Sequence, residues 1–112
     1  MILRVFHVTV HDGMASEFEK FFRTIALPLV RNQDGLMSVV AGKPREDAPN
    51  IFCMTMVWES VDALKGFAGE NWTQARIEPE EKHLIASTSV RPLRSYRSLR
   101  RLGGLRGHTS SE

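Results

Sequence analysis

Eight consecutive residues, Ile51 to Trp58 (IFCMTMVW), contain a single polar side chain, Thr55. A strand points successive side chains to opposite faces of its sheet. This run is therefore apolar on both, with Phe52, Met54, Met56 and Trp58 on one face and Ile51, Cys53 and Val57 on the other. The N-terminal run ILRVFHVTVH (Ile2 to His11) repeats the pattern, setting Leu3 and Val5 opposite Phe6, Val8 and Val10. Any fold for this chain has to shield two faces of one sheet from water.

The segments between these strands supply cover for one face. After the Asp12-Gly13 turn, Met14, Phe18, Phe21, Phe22, Ile25 and Leu29 recur at helical spacing and form one apolar stripe. Asp12 is placed to cap this helix, and Pro28 to kink or end it in its last turn. The NQDG turn (Asn32 to Gly35) leads to a second strand, Leu36 to Lys43, and a polar hairpin loop, PREDAPN, precedes Ile51. Ser60 caps a second helix whose inner face carries Val61, Leu64, Phe67 and Ala68, and Gly69 ends it. A short helical turn over Trp72 to Ile77 and a last strand, Leu84 to Val90, complete the folded part.

The order β-α-β-β-α-β predicts an α+β, ferredoxin-like sandwich with both helices on one face of a four-stranded antiparallel sheet. Two helices leave the other face bare, and monomers rarely expose more than a few hundred Å² of contiguous apolar surface. The expected remedy is a second copy packed sheet to sheet about 10 Å away, giving a homodimer with a dimeric α/β barrel.

Length and charge narrow the class. The 112 residues fit one domain, and 42% apolar with 25% charged residues marks a globular chain. Polar residues break the N-terminal run, so no secretory leader is expected there. No segment approaches the ~18 apolar residues of a membrane span, so no membrane partner is expected. One cysteine, Cys53, forms no internal disulfide, and the default location is cytoplasmic. Residues 1–90 hold 9 Lys and Arg against 12 Asp and Glu, whereas residues 91–112 hold 6 Arg and one Glu. The basic charge thus belongs to a tail, and the acidic body argues against a nucleic-acid partner. In that tail Arg91, Arg94, Arg97 and Arg100 are spaced three apart. They form either a basic helix on the partner's acidic body or a solvated extension, and the domain is drawn at residues 1–96 with a tail at 97–112.

Four segments, V-x-V-x-D-G-M-A-S-E-F-E-K-F-F, V-W-E-S-V-D-A-L-K-G-F, F-A-G-E-N-W-T-Q-A-R-I-E-P-E and S-V-R-P-L-R-S-Y, together resemble the antibiotic biosynthesis monooxygenase (ABM) domain family. The resemblance spans Met1 to Tyr96 and implies a dimeric α+β barrel. It also implies one of several roles, among them cofactor-independent oxidation of polycyclic phenols, quinol oxidation and haem degradation. The haem-degrading branch places an Asn, a Trp and a His where this chain has Phe6, Phe67 and Ile77. Haem degradation is therefore disfavoured.

An oxygenase without a cofactor needs an apolar pocket, one base and a donor for developing negative charge. Phe6, Phe18, Phe22, Met54, Met56 and Phe67 are candidate walls for a planar aromatic ligand between helices and sheet, or are simply core. Trp72 either donates its indole N–H to a substrate oxygen or packs a helical turn onto the sheet. Arg76 either steadies an anion or pairs with Glu70 or Glu80, and Asn71 either polarises a substrate oxygen or caps the turn. His83 is the candidate base, with an ordinary pKa of about 6.5, or a surface residue beside acids. His7 and His11 stand ~13 Å apart on a strand and share no metal; no metal and no other cofactor are expected. The rival to an oxygenase is a non-catalytic ligand-binding or stress-associated dimer. A pocket of roughly 300 Å³ or more separates the two.

Overall fold

In the computed structural model, which describes residues 1–96, the strands are β1 (Ile2–Val10), β2 (Leu36–Gly42), β3 (Ile51–Trp58) and β4 (Ile85–Arg94). They form one antiparallel sheet in the order β2-β3-β1-β4. The helical segments are α1 (Ala15–Phe21), a π-helical turn (Phe22–Ala26), α2 (Leu27–Arg31) and α3 (Val61–Ala68). A 3-10 turn, Lys82–Leu84, feeds β4. The ferredoxin-like order is thus present. Among the described residues no helix is long and apolar enough to cross a membrane.

Register settles which side chains share a face. Phe6 pairs with Met54, Val8 with Phe52 and Ile2 with Trp58, and all lie toward the helices. Phe52, Met54, Met56 and Trp58 are buried there with Phe18, Phe21 and Phe22. The Phe18 ring stands 4.8 Å from Phe52 and 5.6 Å from Phe22, centroid to centroid. The Phe67 ring stacks on Trp58 at 5.5 Å.

Pro28 neither ends nor breaks the helix; the chain continues helically to Arg31. The irregularity lies in the turn before it, where the Leu27 N–H reaches back to the Phe22 carbonyl, a wide turn that relieves the clash a proline ring makes with the carbonyl four residues earlier. The wider turn shifts the helical phase. Ile25, expected on the inner stripe, is exposed, and Leu27 and Val30 are buried in its place.

Three local expectations are corrected. Asp12 caps nothing: α1 begins after Met14 without a side-chain cap, and Asp12 Oδ1 instead accepts a 2.6 Å hydrogen bond from Asn50 Nδ2. Trp72 to Ile77 form turns and irregular chain, not a helical turn. The last strand runs on through Arg94, so Arg91 and Arg94 are strand residues, while the tail drawn at 97–112 lies outside the described residues. Two expected caps hold. Ser60 Oγ accepts from the Ala63 N–H at 3.1 Å, and Gly69 closes α3 at φ +82°.

The face away from the helices carries Leu3, Val5, Cys53, Val57, Val40 and Leu93 in register. In the single chain Val40 is 69% and Leu93 47% exposed. Thr55, His7, Ser89 and Arg91 lie on the same face, so its apolar part is a patch among polar residues, and the expected twin sheet remains the proposed cover. Light scattering at micromolar concentration should give about twice the 12.7 kDa chain mass, and Val57→Lys should shift the protein toward monomer; a wild-type monomer contradicts the dimer. A second test concerns backbone. Gly35 has φ +85°, and a Cβ there would overlap Ala63, whereas Gly13 has φ +84° with open space around it. Gly35→Ala should cost about 2–4 kcal/mol and Gly13→Ala about 1 kcal/mol in chemical denaturation.

Candidate functional site

Between the helices and the sheet lies a cavity lined by Phe6, Phe18, Phe22, Met54, Met56 and Phe67, the expected walls, together with Ala26, Leu29 and Val30. The π-helical turn contributes Phe22 and Ala26, so the backbone irregularity that accommodates Pro28 also shapes the wall. The free space is about 50 Å³, room for water and not for an aromatic ring. It falls below the ~300 Å³ expected of a substrate pocket. Its walls include Met side chains and the irregular chain after Gly69, which move more readily than a strand.

Four charged residues meet this cavity: Arg4, Arg76, Glu78 and Glu81. Arg76 was expected here. Its Nε lies 2.9 Å from Glu78 Oε2, its Nη1 donates to the Phe67 carbonyl at 2.7 Å, and its guanidinium stands 5.1 Å over the Phe67 ring. Its ionic partner is Glu78, not Glu70 or Glu80; Glu70 faces Lys65 at 3.7 Å.

The other candidates lie elsewhere. His83 sits on the 3-10 turn at the surface, its side chain 66% exposed and 3.6 Å from Glu17. Trp72 is half-buried and packs against the core cluster, outside the lining. Asn71 is exposed, and its carbonyl accepts from the Gln74 N–H. His7 lies on the bare face of the sheet opposite Cys53. Among the described residues no three His, Cys, Asp or Glu side chains converge on a metal position.

Two residues that sequence reasoning passed over are the buried charges among the described residues: Arg4 is 2% and Glu81 6% exposed. Arg4 Nη2 donates to the Gln74 carbonyl at 2.8 Å, while its buried Nε has no hydrogen-bond partner. Glu81 Oε2 accepts the Glu78 N–H at 2.8 Å. Neither enters an ion pair among the described residues. Burial pushes the Arg4 guanidinium below its ordinary value. Burial also pushes the Glu81 carboxyl above the usual carboxylate range; the Glu78 N–H opposes this, and the Glu78 and Glu80 charges add to it. Alternation along β1 signals Arg4, since Phe6, Val8 and Val10 share its parity. No local pattern distinguishes Glu81 from Glu78 and Glu80.

A carboxyl that holds its proton more tightly folded than unfolded opposes folding once ionised. That penalty is absent below the unfolded carboxylate range and grows as pH rises through the raised folded value. Glu81→Gln keeps an oxygen for the Glu78 N–H and should raise Tm at neutral pH, the gain vanishing toward about pH 4. A thermal melt without a neutral-pH gain rules out the penalty.

Solved structures share this fold. A candidate antibiotic biosynthesis monooxygenase from Deinococcus radiodurans superposes with a TM-score of 0.69 at 15% identity, covering 92% of this chain and 100% of that one. SnoaB, a cofactor-independent oxygenase from Streptomyces nogalater, gives 0.64 at 20% identity, covering 88% and 95%. A further candidate monooxygenase of the same description, from Nitrosomonas europaea, gives 0.64 at 14%, covering 85% and 98%. No curated protein sequence matches the chain. The antibiotic biosynthesis monooxygenase model matches residues 1–78, and with the fold and cavity in place the chain belongs to that family.

Proposed function

We propose that this protein binds a planar phenolic or quinol-type compound in the cavity between helices and sheet and oxidises it with O₂, without a cofactor, as a dimer. The observation that supports this reading is the presence of two buried charges, Arg4 and Glu81, in the lining of a cavity whose other walls, apart from the Arg76–Glu78 pair, are apolar. Packing alone gains nothing from them, because desolvating each charge costs several kcal/mol. An electron-rich anion reacting directly with O₂ needs what such a site offers: exclusion of water, a proton acceptor and a cation beside the developing charge. Arg76, over the Phe67 ring at the cavity wall, orients the ligand in this reading. The proton-accepting role moves from the exposed His83 to the buried Glu81, and Trp72 supports the wall from behind. The SnoaB likeness is compatible with the chemistry and establishes the fold.

One observation favours a second reading, non-catalytic ligand binding or a stress-associated role. Side chains leave only about 50 Å³ free between the helices and the sheet. For the oxygenase, Met54, Met56 and the chain after Gly69 have to give way as the ligand enters.

Oxygen uptake over a panel of anthrone-type and quinol substrates separates the readings. The oxygenase consumes O₂ with at least one of them, undiminished by a chelator. Ala26→Phe, filling the space beside the π-helical turn, should lower kcat/KM at least tenfold, or about 1.4 kcal/mol. Absence of turnover across the panel removes the oxygenase and leaves the binding reading.

A further inference from the structure

A second space lies on the helical side of the sheet. It is an open hollow of about 390 Å³ between Thr73, Gln74, Ala75 and Ile77 on one side and Thr88 and Val90 of β4 on the other. The hollow reaches the ~300 Å³ of a small-molecule pocket, whereas the inner cavity, at about 50 Å³, does not. Three observations set the two spaces side by side. Val90, a wall of the hollow, is the register partner of Phe6, a wall of the cavity. Arg76 lines the cavity and the next residue, Ile77, lines the hollow. Arg4, in the cavity lining, donates through Nη2 to the carbonyl of Gln74, in the hollow lining, at 2.8 Å. The partition between them is therefore a single thickness of irregular chain.

That partition is pinned at its ends and loosely held between them. The Gly69 N–H bonds to the Lys65 carbonyl at 2.8 Å, and Glu81 Oε2 accepts the Glu78 N–H at 2.8 Å. Gly69 has φ +82° and open space around it, so it can pivot. Among the described residues, 70–77 belong to no helix or strand, and their one backbone–backbone hydrogen bond is internal, from the Gln74 N–H to the Asn71 carbonyl. Their polar ties to the rest of the fold are Arg4 to Gln74, Arg76 Nη1 to the Phe67 carbonyl at 2.7 Å, and a Lys65–Glu70 pair that solvent weakens. The first of these alone reaches the sheet. A segment with so few bonds opens far more readily than the strands beside it.

We propose that residues 70–77 form a wall that lifts off the sheet, with Arg4 as its latch, so that cavity and hollow merge into one ligand-sized pocket entered from the β4 side. The inference rests on the planar aromatic ligand of the proposed function and adds its entry route and the residue that controls it. Burial decides between this route and a yielding core. Met54 and Met56 are 3% and 1% exposed, so displacing them disrupts the packed layer. In the wall, Asn71, Thr73, Gln74, Arg76 and Ile77 are already exposed, and Trp72 is the one large side chain packed on the core. When the wall lifts, the Gln74 carbonyl meets water and the Arg4 guanidinium faces the merged space. Arg4 is in this step a positioning residue, acting through the Gln74 carbonyl.

The test uses the full-length protein and N-phenyl-1-naphthylamine, an uncharged dye that fluoresces in apolar surroundings, so that neither proton transfer nor O₂ enters the readout. Wild-type protein should bind it. Ala26→Phe fills the inner cavity and Thr88→Trp the outer hollow, and in a merged pocket each should weaken dye binding at least tenfold. Arg4→Met removes the latch and should tighten binding at least fivefold, because apparent affinity rises with the open fraction. Circular dichroism reports on the fold of each variant; should Arg4→Met not fold, the two filling variants decide. Binding weakened by Ala26→Phe alone places the dye behind a fixed wall, and binding weakened by Thr88→Trp alone places it in the hollow. Either result, no binding by the wild type, or a folded Arg4→Met with unaltered affinity overturns the moving wall. The expected dye pattern without O₂ uptake from any phenol or quinol leaves the wall standing and removes the oxygenase. O₂ uptake undiminished in Thr88→Trp does the reverse.

Discussion

Pairing of β1 with β3 over eight residues, and with β4 along its other edge, puts Phe6, Val8, Val10, Phe52, Met54, Met56 and Trp58 into one layer beneath the helices. Each large side chain buried in that layer contributes about 1.5–3 kcal/mol. The alternation that builds the layer also allows no exception. Arg4 has the parity of Phe6 and Val8, so the pairing that buries them buries it too. A cation in the core is thus a direct consequence of strand geometry, and the surroundings adapt to it: the Gln74 carbonyl is turned inward to receive its Nη2.

The helical cover shows a similar adaptation. An α-helix through Pro28 would press the proline ring on the carbonyl of Thr24. The π-helical turn over Phe22–Ala26 relieves that clash while keeping the chain helical to Arg31. It also rotates the following residues, so Leu27 and Val30 take core positions and Ala26 and Leu29 turn toward the cavity. Small irregularities of this kind recur at functional sites because they place side chains where a regular helix does not. Here the cavity is bordered on one side by that turn and on the other by the irregular chain from Gly69 to Glu81, its least regular wall.

The arrangement separates two jobs that are often carried by one ion pair. Arg76 and Glu78 neutralise each other at the wall, a contact with stabilising value of its own. Arg4 and Glu81 are held apart by backbone hydrogen bonds and keep unspent capacity, one a donor and the other a proton acceptor. Burial, which weakens the charged form of each, is a standing cost to the fold. Such costs persist where function uses them.

Strand and helix placement was legible in the residues themselves, because periods of two and of three to four dictate which side chains share a face. β3 begins and ends where its apolar run does, Ser60 and Gly69 bound α3 as their chemistry requires, and the two-faced sheet follows from IFCMTMVW alone. The cavity walls Phe6, Phe22, Met54, Met56 and Phe67 were legible for the same reason. Which charges meet at that cavity was not. Arg76 was found through the ABM-like segment, but His83 is turned to solvent by a 3-10 turn whose partner Glu17 lies 66 residues earlier in the chain. Glu81, two residues away, is turned inward by its hydrogen bond to the Glu78 N–H. Local pattern sets the face of a residue inside a regular element; in an irregular segment the direction of each side chain is decided by long-range packing, and there only the tertiary structure distinguishes a buried acid from its solvated neighbours.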